Sequence, residues 1–248
     1  MTYLPDRDFY MEIARGNESG LSAVNKFGRN SALPNGTAED IWDGSSAYTF
    51  ISSAETMDLI STDNTNDTSI GNGAKQVEIQ GLDANYALQT ETVSLSSVAV
   101  PTTYSYLRIF RMKVTSVGTL ENNQGTITAT GSTSSTVVAQ IQPGNNQTLM
   151  AIYTVPAGYT AYMTKYYFSV NSATAAATQV DVAMYISAGA GGPQQIKHFL
   201  GSNDDGTSVY LHTFGIPLVI AEKSDIRLEG EANGTADVSA GFDLVLET

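Results

Sequence analysis

The chain has 248 residues, no cysteine and a formal net charge of −13, with 42% hydrophobic and only 15% charged residues. That length buries a substantial core in one large domain or two small ones, and the apolar share excludes a disordered chain. The lack of cysteine excludes disulfides, thiol nucleophiles and Cys-ligated zinc, and the negative field argues against nucleic acid as the main partner.

Residues 1–45 differ from the rest. Asp6 is placed to cap a short helix that runs through Arg15 with Phe9, Tyr10 and Ile13 on one side, and Gly16 stops it. From Gly16 to Gly44 apolar residues are scattered among Gly, Asn, Ser and Pro, which reads as a loop-rich N-terminal arm. The arm holds the single tryptophan, Trp42, expected as a packing anchor. Met1–Asp8 has no basic segment followed by an apolar run, so no signal peptide is expected. No stretch approaches the ~20 apolar residues of a membrane span. The Asn-x-Ser/Thr triplets at Asn17, Asn35, Asn66, Asn146 and Asn233 read as chance in an Asn- and Thr-rich chain.

A first β region spans residues 46–130. Expected strands are Tyr48–Ile51, Met57–Ile60, Lys75–Gln80, Ala87–Leu95, Tyr106–Val114 and a weak one at Gly125–Thr130. Gly131–Thr136 is the expected linker. Residues 131–248 carry a second, stronger β region. Its strands are Val137–Ile141, Thr148–Thr154, Ala161–Val170, Gln179–Ile186, Gln195–Leu200, Ser208–Phe214, Leu218–Ile220, Asp225–Glu229 and Ser239–Leu246. Turns fall at Pro156–Gly158, Gly191–Pro193 and Asp204–Gly206. The predicted class is all-β: two antiparallel β-sandwich domains, the C-terminal one jelly-roll-like, preceded by the N-terminal arm.

No catalytic constellation stands out, and the protein is not expected to be an enzyme. His198 and His212 are the only histidines and share no ligand spacing; positions paired across strands are open to them but not forced. Asp63–Asp67 lacks the spacing and terminal Glu of an EF-hand and reads as a solvated turn. There is no Gly-x-Ser-x-Gly elbow. Gly189–Gly192 leads into Pro193 and a strand, which is the wrong context for a phosphate loop. No metal or cofactor is expected. In a regularly alternating strand Tyr162 and Tyr166 share one face, with Tyr159 and Tyr167 on the other. Arg108, Arg111 and Lys113 form the densest basic group, and Arg15, Lys26 and Arg29 add basic character to the arm. These six are the expected docking residues.

Two groups of segments carry a resemblance. One is Val77–Tyr86 with Glu91–Leu95 and Leu107–Arg111. The other is Tyr153–Ala161 with Pro217–Ile226 and Ala240–Leu244. Together they resemble virion structural proteins of tailed bacteriophages of the capsid decoration or cement kind. The Val-Pro-Ala-Gly turn and the Ser-Asp-Ile strand are similar to those of trimeric phage jelly rolls. The resemblance implies a protein made in the host bacterial cytoplasm and carried on the capsid surface. Its partners would be the major capsid protein and further copies of itself in a homotrimer. A head fibre, or a tail-associated protein that binds a receptor glycan, is the alternative, supported by the tyrosine cluster.

Overall fold

A computed structural model describes residues 8–173, 179–202 and 208–248. The protein is all-β, with one short helix, α1 (Phe9–Ala14), among the described residues. Asp8 caps that helix by accepting from the amides of Tyr10 and Met11; Asp6, the expected cap, lies outside the described residues.

In chain order the strands are β1 (Leu21–Leu33), β2 (Glu39–Asp40), β3 (Met57–Ser61), β4 (Ala74–Leu82), β5 (Leu88–Ser94), β6 (Val100–Pro101), β7 (Arg108–Val117) and β8 (Ile127–Gly131). They continue as β9 (Val137–Ile141), β10 (Ile152–Thr154), β11 (Thr160–Ala173), β12 (Val180–Ser187), β13 (Gln194–Ser202), β14 (Ser208–Ile220), β15 (Asp225–Ala232) and β16 (Ala236–Glu247). They form four sheets. Two are ordered β1-β16-β11-β14 and β10-β15-β12-β13, the latter with β2 also on β15; the others are β6-β3-β8-β9 and β5-β4-β7. All pairs of these strands are antiparallel.

One apolar cluster draws Tyr166, Phe168, Phe242 and Leu244 from the first sheet and Val182, Met184, Ile226 and Leu228 from the second. A second cluster gathers Leu59, Val77, Ile79, Met112, Ile127 and Ile141 from the other two sheets, with Trp42 and Tyr48. Each fully buried side chain of this kind contributes roughly 1.5–3 kcal/mol. Strand alternation joins the clusters: in β10, Ile152 enters the second while Tyr153 enters the first. Trp42 is an anchor, as expected. Its ring meets Tyr48 edge-on at 5.2 Å, and its indole N–H donates to the Ser46 carbonyl at 2.8 Å.

Three expectations change. The segment read as a loop-rich arm contains β1, thirteen residues long and paired along its length with β16. Tyr48–Ile51 is not a strand, although Tyr48 and Ile51 are buried. Gly131–Thr136, read as a linker, turns between β8 and β9 inside one sheet. The Glu55 carboxylate pins that turn by accepting from the amides of Thr133 and Ser134.

Candidate interaction surface

The six basic residues expected to dock a partner do not share one surface. Arg108 is buried at the start of β7. Its guanidinium forks onto Asp225 of β15, with Nε–Oδ1 2.9 Å and Nη2–Oδ2 3.0 Å, and its Nη1 donates to the carbonyls of Ile51 and Leu107. Burial disfavours its charge, but the carboxylate more than offsets this and holds the pKa above its ordinary value. Lys26 is also buried. It faces inward from β1 and donates to the Phe110 carbonyl. Burial, and then the nearby charge of Arg111, pushes its pKa well below the usual lysine range. Neither residue has a surface to present.

The other four reach solvent, each with an internal partner. Arg15 pairs with Glu12 at 2.9 Å, and Lys113 pairs with Glu78 at 2.9 Å. Arg29 holds Asp237 through two hydrogen bonds, and Arg111 donates to the Asn25 carbonyl at 3.3 Å.

The acidic loop is structural. Asp63 accepts from the amides of Thr65 and Asn66, which closes the turn. Asp67 is fully buried, not solvated as expected. It accepts from the Ser61 hydroxyl and from the amides of Ala74, Gln124 and Gly125. A carboxylate with four donors organises the loop around itself. Among the described residues no group of three or more His, Asp or Glu is placed to hold a metal ion.

A bulge rearranges the tyrosines. The register of β11 shifts between Met163 and Lys165 against both neighbours. Against β16 the shift is one extra residue on β11, which moves the following side chains to the opposite face. Tyr166 therefore points into the core, while Tyr162 faces outward and bonds Glu247 at 2.7 Å.

The feature that the sequence reading did not single out is the side of the molecule where β13 and β14 lie. Each is the edge strand of its sheet. His198 of β13 and His212 of β14 meet there with ring centroids 4.0 Å apart, and the Tyr166 hydroxyl lies 2.6 Å from His198 Nδ1. Burial, and then the proximity of His212, lowers the pKa of His198.

Outside this aromatic floor β14 is apolar, while β13 exposes Gln195 and Lys197 as well as apolar residues. On β14, Val209 is 77% exposed, Leu211 60%, Ile216 87% and Val219 62%; on β13, Ile196 is 56% and Phe199 54% exposed. Ser208–Ile220 contains no Asp, Glu, Lys or Arg. Around the corner a cleft of about 360 Å³ runs between Tyr10 and Ile13 of α1 and Thr213 and Phe214 of β14. Phe9, Tyr10 and Met11 are exposed beside it. Long flat edges normally carry charges that block pairing with another chain. The signal was present in the sequence as a thirteen-residue uncharged strand in a chain of net charge −13.

No family model matches the chain, and no curated protein matches it. Among solved structures, a chain of the infectious bursal disease virus Gx strain is similar at 10% identity. The match covers 91% of this chain and 70% of that one, with a TM-score of 0.24, and a likeness at that score carries no argument.

Proposed function

We propose that the protein is a structural component of a tailed-phage virion that binds the outer capsid surface as a cement or decoration protein, acting as a homotrimer. It is not an enzyme on this reading. The observation that carries the proposal is the uncharged edge strand β14, with Val209, Leu211, Ile216 and Val219 exposed along it. Monomeric proteins rarely leave such a surface uncovered, and assembling proteins cover it with a partner. The sequence resemblance of residues 77–111 and 153–244 to phage decoration proteins supports the same reading and names the particle.

In finer detail, the two apolar clusters correspond to two β-sandwich domains, the one built on β11–β16 being jelly-roll-like. The docking set reduces to the cations that reach the surface, Arg15, Arg29, Arg111 and Lys113, which face acidic neighbours on the major capsid protein. Binding only the assembled shell stabilises it by mass action, because bridges between capsomers must break before the shell yields.

Heads stripped of the protein test this. Purified chain added back should bind saturably and raise the temperature at which heads release their DNA. Arg29→Glu with Arg111→Glu should weaken rebinding. Stripped heads that retain none of the added chain would overturn the proposal.

A further inference from the structure

The edge strands also indicate what covers them. Among the described residues β14 pairs with β11 on one side only, and β13 pairs with β12 on one side only. From Ser208 to Gly215 the outward backbone edge of β14 is open to another strand; at Pro217 the chain lacks the amide that pairing needs. Val209, Leu211 and Thr213 alternate with the half-buried Tyr210, His212 and Phe214 and so share the outer face of β14, which continues into the exposed Ile216.

Charge selects the occupant. A partner recognised by complementary charge needs a charged patch to meet, and β14 offers none. Two copies of a chain with net charge −13 repel one another over most of their surfaces. They approach at least cost where neither carries charge. Self-association interfaces are apolar and depleted in charge at their centre, as β14 is.

We infer that copies of this chain pack against one another through β14, with its outer edge at the centre of the contact. This deepens the reading of the protein as an assembling component, and rests on it. It leaves the exposed side chains of Arg15, Arg29, Arg111 and Lys113 for the shell.

The test is light scattering of the full chain after size exclusion, over a hundredfold range of concentration. The wild type should have a mass that is an integral multiple of 26.3 kDa. Val209→Lys with Leu211→Lys should reduce it to 26.3 kDa with an unchanged far-UV spectrum. Ile70→Lys, at a 94% exposed position on a different loop, should leave the assembly intact. A wild type that is monomeric throughout, or a double variant assembled like the wild type, overturns the inference.

If the double variant does not fold, hydrogen exchange of the wild type decides. Amides of Ser208–Gly215 should exchange at least tenfold more slowly in the concentrated sample than in the dilute one, and equal rates overturn the inference. The two readings fail separately. A stable multimer that does not bind heads overturns the virion role alone. A monomer that binds heads overturns the self-contact and the homotrimer, and leaves the virion role standing.

Discussion

Arg108→Ala is the most informative single change, because Arg108 ties the two apolar clusters together. Its side chain is 7% exposed and that of Asp225 5%, so neither charge is solvated. Removing the guanidinium breaks two hydrogen bonds to Asp225 and frees the Ile51 carbonyl, which it meets at 2.7 Å. It also removes the cation 4.9 Å from the centre of the Phe50 ring. Asp225 keeps the Thr154 hydroxyl at 2.5 Å and would remain a buried, uncompensated carboxylate. Breaking one partner of such a pair costs about 3–5 kcal/mol. For a chain of this length that lowers Tm by about 10 °C.

The assay is thermal and urea unfolding of the full chain, followed both by Trp42 fluorescence, which reports on the second cluster, and by far-UV circular dichroism, which reports on all the sheets together. In the wild type both probes should move together; in Arg108→Ala they should separate. Arg108→Met combined with Asp225→Leu should recover most of the loss, since replacing both charges by apolar groups removes the desolvation cost. A loss below about 1 kcal/mol for Arg108→Ala, the size of a solvated surface pair, would refute the reasoning.

Three further outcomes follow from the same geometry. Gly28→Ala should destabilise the chain by about 1–3 kcal/mol or more in urea unfolding, because its Cβ would lie 2.2 Å from the Ile41 carbonyl oxygen and 2.4 Å from the Ala151 amide; an unchanged midpoint would contradict the close approach of β1. His198 has a pKa below 6.5 in the folded state, so the folded chain binds fewer protons than the unfolded one in that range. Its stabilising contribution is complete above pH 6.5 and falls as acidification proceeds through the lower folded value. The stability difference between wild type and His198→Asn should therefore shift against the wild type below pH 6.5, and parallel curves would contradict this. Asp43 has the opposite sign: burial pushes its carboxyl up from 3.8 to about 6, so acidification through pH 6 stabilises the fold. Asp43→Asn should lack this gain of up to about 3 kcal/mol, as read from unfolding midpoints across that range.

The strands with alternating apolar residues were legible in the sequence. Val137–Ile141 forms β9 with those bounds, and Lys75–Gln80 is the centre of β4. β1 was not legible, because its inward positions are Lys26, Gly28 and Asn30 in place of apolar residues. Each has a local reason to be inside: Lys26 reaches the Phe110 carbonyl, Gly28 allows a close backbone approach, and Asn30 bonds Glu39. A hydropathy pattern carries none of these. The Ser- and Thr-rich Gly131–Thr136 segment suits a linker and a hairpin turn equally, and only the β8–β9 pairing distinguishes them.

The basic density of Arg108–Lys113 was real, but local sequence carries no information about Asp225, 117 positions away, which draws Arg108 inside. The meeting of His198 with His212 likewise depends on two strands in different sheets. The apolar edge was readable in principle, since an uncharged thirteen-residue strand is visible in the sequence; that it lies at an edge is a property of topology.

The most direct test of the virion role is gold labelling of intact particles with an antibody to this chain, combined with copy counting by mass spectrometry. Hundreds of copies spread over the head are expected. A few copies confined to a tail tip or a single vertex, or none at all, would contradict that role.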